Sequence, residues 1–355
     1  MFSLGFNRLE IDDIRSGVKL RCGVLLVFVY NYKSTVDTIH PKITNVVTPT
    51  IMAPTPPNIT TFTTSPYTAA REALEKDGFV ILPTTLFPTF DLAALRTAAA
   101  DLCTSARTGR WPFIRTLPKQ FPPWPQDPSN GIWGVQHLLH PSNPWHDLFA
   151  QSYFDAELLK YVAALLECEE EDLTMELYNM LVRPERNFEL RWHRDDVPAS
   201  ATPEEEVERL QKPGHHAQWN LALYEDSSLV VVPGSHRRAR TEEERSAEPY
   251  AERLPGQVTV RLEPGQVVFY NNNILHRGVY DCGKERLTLH GSIGTVKAGS
   301  DRARNVLQHG VGEWAKEDDF SGLDDGVRER ALRMRERLVE LGRTSGDVGF
   351  FSKDE

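Results

Sequence analysis

Cysteine is scarce in this chain. Only four occur among 355 residues, at positions 22, 103, 168 and 282, and no two of them form a Cys-x-x-Cys pair. This scarcity excludes a disulfide framework and a zinc or redox motif built on paired cysteines. We therefore expect a protein of a reducing compartment, and specifically a cytoplasmic one.

Long apolar runs and an excess of basic residues are also missing. The longest apolar run, residues 24–30, is far shorter than the roughly 20 residues of a membrane-spanning helix. Forty Lys and Arg face fifty Asp and Glu, for a net charge of −10. We therefore expect no membrane span and no nucleic-acid partner. No glycine-rich phosphate motif follows a predicted strand, which leaves a nucleotide-binding fold unsupported.

The composition changes along the chain. Residues 48–66 are rich in Pro and Thr and show no hydrophobic period, so we predict a flexible N-terminal extension over residues 1–66. A main domain is predicted over 67–300. A C-terminal helical segment over 301–355 is expected to pack on that domain, with a charged helix at 324–341.

The middle of the chain has the pattern of a β-protein with flanking helices. Helices are predicted at 69–76, after Asp91 and at 154–166, and a long loop at 111–145. An exposed helical insertion is predicted at 201–213. Short segments rich in β-branched and aromatic residues, separated by turns, predict a sandwich, a barrel or a jelly roll. The predicted strands are 174–183, 190–195, 218–223, 228–232, 257–262, 266–270, 274–279 and 286–293.

A His-x-Asp pair lies in one of these predicted strands. Side chains of a strand alternate between its two faces, so His193 and Asp195 share a face while Arg194 points the other way. An imidazole and a carboxylate would then lie within reach of one metal ion. Asp196 has the opposite parity and is the less suitable ligand. Alone, such a pair is weak evidence, because a surface ion pair has the same pattern.

A distant histidine and an arginine strengthen this interpretation. His276 follows a turn and a strand, and His-x-Asp with a distant His is the ligand set of the facial triad of non-haem iron enzymes. Arg286 follows a chain reversal at residues 281–284, which would return it beside the strand of His276. A guanidinium there could bind the far carboxylate of a keto-diacid through two hydrogen bonds.

With these residues in place, the chain resembles the phytanoyl-CoA dioxygenase family over residues 70–296. The resemblance rests on several segments that occur in the family's order. They are EKDGFVILP at 75–83, MLVRP at 180–184, HRD at 193–195, QWNLAL at 218–223, VVPGSH at 231–236 and PGQVVFY at 264–270, followed by His276 and Arg286. The Pro-Gly-Ser-His box is the most specific of them when it occurs in this order.

The resemblance implies a fold, a chemistry and roles for individual residues. The implied fold is a double-stranded β-helix, a cupin-like jelly roll. The implied enzyme is an Fe(II)- and 2-oxoglutarate-dependent dioxygenase that uses O2, hydroxylates a small-molecule substrate and releases succinate and CO2. His193, Asp195 and His276 would bind the iron, Arg286 would bind the 2-oxoglutarate C5 carboxylate, and Met180 and Trp219 would line the co-substrate pocket.

One position departs from the family pattern. Relatives often have a small hydroxyl residue two places after the distal histidine, where this chain has Gly278. One hydrogen bond to the co-substrate must then come from another residue. We expect the substrate to be selected by residues 111–145 and 196–217, whose sequences do not indicate a particular substrate. The aromatic residues of 111–145 favour a partly apolar one.

Two other functions are compatible with part of the pattern. The first is a cupin-type metalloenzyme that uses the same triad without 2-oxoglutarate and has no need of Arg286. The second is a non-catalytic jelly-roll protein that binds a metal ion. Metal content and substrate-independent release of succinate would distinguish the second from an active oxygenase.

The N-terminal region allows a first test. Met52 lies within the Pro- and Thr-rich stretch, and we expect residues 1–51 to be dispensable or to precede the true start. The intact mass of the native protein should then correspond to a chain that begins near Met52. A mature N-terminus at Met1 would contradict this expectation.

Overall fold

The computed structural model describes residues 65–346. The predictions for residues 1–64, including the dispensable N-terminus, lie outside the described residues. Within them, helices precede, flank and follow a central set of strands. No helix in the described residues is both long enough and apolar enough to cross a bilayer.

The strands of the described region are short and twist into two sheets. They are β1 (Phe79–Leu82), β2 (Ile114–Thr116), β3 (Ile132–Val135), β4 (Leu173–Val182), β5 (Phe188–Glu189), β6 (His216–Ala222), β7 (Leu229–Val232), β8 (Val258–Thr259), β9 (Val267–Tyr270), β10 (Leu275–Tyr280) and β11 (Leu287–Thr295).

The order of the strands defines a double-stranded β-helix. The large sheet has the order β1-β9-β6-β11-β4-β3-β2 and the small sheet has the order β5-β10-β7-β8. All strand pairs are antiparallel. From β4 to β11 the chain passes back and forth between the two sheets, as the strands of a jelly roll do. The predicted fold class is confirmed.

The described region contains eight α-helices besides these strands. They are α1 (Pro66–Asp77), α2 (Leu92–Arg107), α3 (His146–Tyr153), α4 (Ala156–Leu165), α5 (Pro203–Leu210), α6 (Glu242–Ser246), α7 (Gly299–Gln308) and α8 (Asp325–Arg343). Asp91 caps α2 as predicted, because its Oδ1 accepts a hydrogen bond of 2.9 Å from the amide of Ala94. The predicted C-terminal helix corresponds to α8, whereas α7 was missed.

The two faces of the large sheet bury different kinds of residue. Trp219, Phe269 and Leu289 point outward into an apolar core shared with α2, α4 and α8. Neighbouring positions such as Gln218, Asn220 and His290 point inward, between the sheets. The alternation of a strand therefore separates the core that stabilises the fold from the polar interior that can carry chemistry.

Two sequence predictions need correction. The predicted strand at 190–195 is not formed, because the observed strand β5 ends at Glu189 and residues 190–195 are irregular apart from one bridge at His193. The predicted loop at 111–145 contains β2 and β3, which extend the large sheet. Strands of three and four residues are too short for their alternation to be distinguished in a segment rich in Trp and Pro.

The helical insertion at 201–213 is present as α5, but it is not simply exposed. The side chain of Glu206 is fully buried, and its carboxylate forms ion pairs with Arg240 at 2.5 Å and Arg245 at 3.2 Å. Two arginines that lie more than thirty positions away in the sequence compensate the buried charge. The insertion is therefore anchored to the loop that follows β7.

A glycine on β11 allows a test of this packing. Gly291 faces Trp219 so closely that an added Cβ would overlap the indole ring. Gly291→Ala should therefore lower the free energy of unfolding by about 1–3 kcal/mol, as overpacked cores do. Urea denaturation measures this change.

The matched control is Gly326→Ala at the start of α8, where an added Cβ meets no heavy atom within 4 Å. Because Ala favours a helix over Gly, this variant should be at least as stable as the parent. Equal stability of the two variants would contradict the packing described for Trp219.

Candidate metal centre

Two backbone hydrogen bonds bring the predicted histidines together. The amide of His193 donates to the carbonyl of His276 at 3.0 Å, and the amide of His276 donates to the carbonyl of His193 at 3.1 Å. They form an isolated antiparallel bridge outside the regular ladders. Residues directly opposite in such a pair have side chains on the same face, so the two imidazoles lie side by side.

Asp195 completes a three-residue cluster. Its Oδ1 lies 3.5 Å from His193 Nε2 and 3.7 Å from His276 Nε2. One potential ligand atom from each of the three residues lies within 4.8 Å of the other two. These separations suit three adjacent positions around one metal ion, and two imidazoles with one carboxylate are the donor set of a facial triad.

Hydrogen bonds from the ring nitrogens orient both imidazoles. His193 Nδ1 donates to the carbonyl of Arg191, and His276 Nδ1 donates to the carbonyl of Ile274, each at 2.8 Å. A proton on Nδ1 leaves a lone pair on Nε2, which is the atom that faces the cluster. Burial and the neighbouring charge of His193 lower the pKa of His276 to about 4, so this ring is neutral at physiological pH.

The carboxylate of the cluster is held in its charged form. Burial alone would raise the pKa of Asp195, but the hydrogen bond with His193 and the charges of His276 and His193 bring it below its usual value. Gln218 Nε2 also donates to Asp195 Oδ2 at 3.2 Å. A neutral imidazole and a charged carboxylate are the ligand forms that a divalent metal requires.

Residues next to the cluster fix its backbone. Asp196 accepts a hydrogen bond from the side-chain amide of Asn272, and the amide of Asp195 donates to the carbonyl of Asn272 at 2.9 Å. Arg194 Nη1 donates to the carbonyls of Ser235 and Asn273 at 2.8 and 2.5 Å. The turn at Asn271–Asn273 and Arg194 therefore hold the His-x-Asp segment against β10.

The Pro-Gly-Ser-His box has a structural role in this arrangement. Ser235 Oγ accepts a hydrogen bond of 2.8 Å from the amide of Leu275, next to His276. His236 Nε2 lies 3.0 Å from the carbonyl of Glu75 in α1. Gly234 adopts a left-handed conformation, with φ of 72°, that a turn of this kind requires. The box links β10 to α1 and the His-x-Asp segment.

Arg286 is buried, and one of its three guanidinium nitrogens has no hydrogen-bond partner among the described residues. Its Nε donates to Asp226 Oδ1 at 3.0 Å and its Nη2 donates to Thr288 Oγ1 at 3.1 Å. Within residues 65–346, its Nη1 has no hydrogen-bond partner. A buried donor without a partner costs free energy, so Nη1 is a candidate donor to a ligand. Asp226, which sequence analysis did not find, holds the guanidinium in place.

Met180 and Trp219 do not lie where they were expected. Both side chains point outward from the large sheet into the apolar core and do not line the cavity. On the same strands, Leu181 and Gln218 have the opposite parity and face the cavity. Met180 and Trp219 therefore pack in the apolar core and do not line the cavity as the resemblance implied.

Tyr280 fills the space left at Gly278. A Cβ at position 278 would lie 2.5 Å from the Tyr280 hydroxyl, because the two residues share a face of β10. The Tyr280 ring also packs under the guanidinium of Arg286, at 4.8 Å from the ring centroid. A phenolic hydroxyl thus lies where relatives carry a small hydroxyl residue.

The cluster opens into a cavity of about 250 Å³ between the sheets. Both the large and the small sheet contribute to its wall, and so does α7, through Arg302, Asn305 and Val306. The C-terminal segment is therefore part of the site and does more than pack on the domain. Sequence analysis missed Arg302, Arg115 and His290, because nothing in the local sequence indicates that they converge.

Comparisons with known proteins agree with the predicted resemblance. The model of the phytanoyl-CoA dioxygenase family matches residues 74–279, which is more than half of the chain. The matched range includes His193, Asp195 and His276 and ends before Arg286. No curated protein sequence matches the chain significantly.

Several solved structures are similar to part of this chain. AviO1 from Streptomyces viridochromogenes Tue57 is 21% identical, covers 64% of this chain and 93% of its own, and has a TM-score of 0.43. EctD from S. alaskensis with 2-oxoglutarate and 5-hydroxyectoine is 22% identical over 64% of this chain and 75% of its own, with a TM-score of 0.46. The epimerase SnoN is 16% identical over 65% of this chain and 84% of its own, with a TM-score of 0.42.

The metal centre can be tested independently of any reaction. The purified protein should bind one Fe(II) or Co(II) ion per chain, measured by calorimetry without oxygen. His276→Ala should weaken this binding at least about 100-fold, because loss of an outer-shell partner alone costs 10- to 100-fold.

His215→Ala is the matched control. His215 neighbours His216 but lies outside the cluster of three, so its variant should bind the metal like the parent. If both variants bound the ion as the parent does, the metal centre would have to lie elsewhere.

Proposed function

Because the chain belongs to the phytanoyl-CoA dioxygenase family, we propose that it is an Fe(II)- and 2-oxoglutarate-dependent dioxygenase. The proposed reaction hydroxylates a small-molecule substrate with O2 and converts 2-oxoglutarate to succinate and CO2. His193, Asp195 and His276 are the proposed iron ligands. Arg286 is the proposed partner of the 2-oxoglutarate C5 carboxylate.

The observation that carries this proposal is the unpaired Nη1 of Arg286. The residue is 4% exposed, and Asp226 and Thr288 bind its Nε and Nη2, so Nη1 with its two N–H groups remains for a ligand. Arg286 has the same parity as His290 and Ser292, which face the cavity from β11. A metal enzyme without a keto-diacid co-substrate has no use for this donor.

The protein residues prepare the site before any substrate binds. His193, Asp195 and His276 would hold the metal ion through three ligand atoms and leave its other positions for 2-oxoglutarate and O2. When bound, iron(II) would supply oxygen activation and the oxidation of a substrate C–H bond.

Hydrogen bonds with neighbouring groups fix the orientation of the three proposed iron ligands. The carbonyls of Arg191 and Ile274 and the amide of Gln218 keep the three ligands oriented, which limits their rearrangement during a reaction.

Two groups position the co-substrate in this proposal. Asp226 fixes the Arg286 guanidinium, so that its free nitrogen is already oriented when the carboxylate arrives. The Tyr280 hydroxyl supplies the hydrogen bond that Gly278 cannot make. Burial raises the pKa of Tyr280, so this phenol keeps its proton and can donate to a carboxylate.

The function is tested by product formation and by selectivity between two keto acids. The protein with Fe(II) should form succinate from 2-oxoglutarate, and a suitable substrate should accelerate it. Arg286→Gln should raise the KM for 2-oxoglutarate roughly 10- to 100-fold, because a hydrogen bond to a charged group is lost. Iron binding should change much less.

The co-substrate 2-oxopentanoate is the internal control, since it has the same chain length and no far carboxylate. Its KM should be the same for the parent and for Arg286→Gln, which separates a lost contact from a damaged fold. Absence of succinate over a broad substrate panel would count against the proposed function. An equal rise of both KM values would contradict the role of Arg286.

A further inference from the structure

Arg115 is the charged residue of the cavity wall that the proposed function leaves unused. It lies in β2, at the edge of the large sheet, and its side chain lines the cavity. Among the described residues it takes part in no ion pair, and its Nε is buried without a hydrogen-bond partner. Although burial lowers the pKa of Arg115 to about 10, the group stays a cation at physiological pH.

The other charges of the wall have partners. Arg302 forms two short contacts with Glu176, at 2.8 and 2.5 Å. Asp196 is bound by Asn272, and Asp195 belongs to the proposed metal centre. Arg115 is therefore the arginine of this wall that forms no ion pair among the described residues, and such a cation facing a cavity favours an anionic ligand.

The fold shapes a place for this side chain. Arg115 pairs with Gly134 of β3, and Gly134 pairs with Leu181 of β4. A Cβ at position 134 would lie 2.8 Å from Arg115 Cδ. Because Gly134 has no side chain, the Arg115 side chain can pass over β3 and reach the cavity.

Two tryptophan rings contact the Arg115 guanidinium, and their planes are inclined to each other by 74°. Arg115 Cζ lies 5.1 Å from the ring centroid of Trp124 and 5.4 Å from that of Trp133. Cation–π contacts help to orient a guanidinium without replacing its hydrogen bonds, and no hydrogen bond of Arg115 with another described residue is found. The N–H groups of the guanidinium match a planar carboxylate, which accepts two parallel hydrogen bonds.

Arg115 and Arg286 pack on different, adjacent aromatic rings. The Trp133 ring contacts Arg115, the Tyr280 ring contacts Arg286, and these two rings lie 6.1 Å apart. Arg286 is 4% exposed, whereas Arg115 packs against the partly exposed Trp124. The deeper guanidinium suits a co-substrate, and the outer one suits a molecule that binds afterwards.

We propose that Arg115 binds a carboxylate of the substrate, and that the substrate class is a small organic acid with an apolar carbon skeleton. This inference rests on the proposed function, since it assigns Arg286 to 2-oxoglutarate. One unpaired guanidinium suits a single negative charge better than a phosphate. Trp124, Trp133, Leu181 and Leu190 line the cavity nearby and would contact the skeleton.

The experiment compares an acid with its amide. The full chain, loaded with Fe(II) and saturating 2-oxoglutarate without oxygen, is titrated with phenylacetate and with phenylacetamide. Calorimetry measures binding, and fluorescence of the chain's seven tryptophans, which include Trp124 and Trp133, gives a second signal. The parent should prefer the acid roughly 10- to 100-fold, the range expected for charge-assisted hydrogen bonds.

Three variants identify the residue responsible. Arg115→Gln should abolish the preference for phenylacetate and leave phenylacetamide binding unchanged. Arg115→Lys should retain part of the preference, since charge remains while the planar fork is lost. Gly134→Ala should reduce the preference without removing any charge, because its Cβ would displace the arginine side chain.

The outcomes separate this proposal from the proposed function. If the parent binds acid and amide equally, or binds neither at millimolar concentration, the substrate role of Arg115 is wrong. If Arg115→Gln weakens 2-oxoglutarate instead, then Arg115 serves the co-substrate and the inference is also wrong. If 2-oxoglutarate fails to bind the parent at all, it is the proposed function that fails.

Discussion

The mutual backbone hydrogen bonds of His193 and His276 are the contact on which the site depends. They join an irregular segment after β5 to the start of β10, and every further element of the cluster is arranged around them. Asp195 reaches the same position because it lies two residues beyond His193. The Arg194 side chain points away from the cluster and holds the segment by donating hydrogen bonds to the carbonyls of Ser235 and Asn273. A shift of one residue at this bridge would move one imidazole away from the other and separate the ligands.

Buried arginines connect the fold to the proposed chemistry. Arg194 is bound by carbonyls, Arg302 by Glu176 and Arg286 by Asp226, so each buried cation has partners that reduce its cost. These contacts hold the wall of the cavity rigid. Arg286 Nη1 and Arg115 Nε are among the buried donors that have no hydrogen-bond partner in the described residues, and we assign these two side chains to ligands.

Much of the architecture was predictable from local pattern. Seven of the eight strands predicted between 174 and 293 lie within about three residues of an observed strand, and Asp91 caps α2 as expected. The prediction failed where long-range contacts override local pattern. Residues 190–195 form no regular strand pairing, and the bridge to β10 and the hydrogen bonds of Arg194 hold them in place. The Glu206 carboxylate is buried where Arg240 and Arg245 compensate its charge. Met180 and Trp219 were assigned to the cavity from resemblance, although their parity on β4 and β6 turns them outward.

By itself, the sequence determined the family, the jelly-roll strands and the three residues of the candidate metal centre. These follow from the spacing and order of residues along the chain, because the His-x-Asp pair, the Pro-Gly turn and the later His occur in an order that can be recognised without the structure. Only the tertiary structure decided which other side chains share the cavity. Arg115, Tyr280 and Arg302 line it from β2, β10 and α7, and no local pattern relates them to one another or to Asp226, which pairs with Arg286. Their convergence depends on strand pairing and on the packing of α7, which are contacts between residues far apart in the chain.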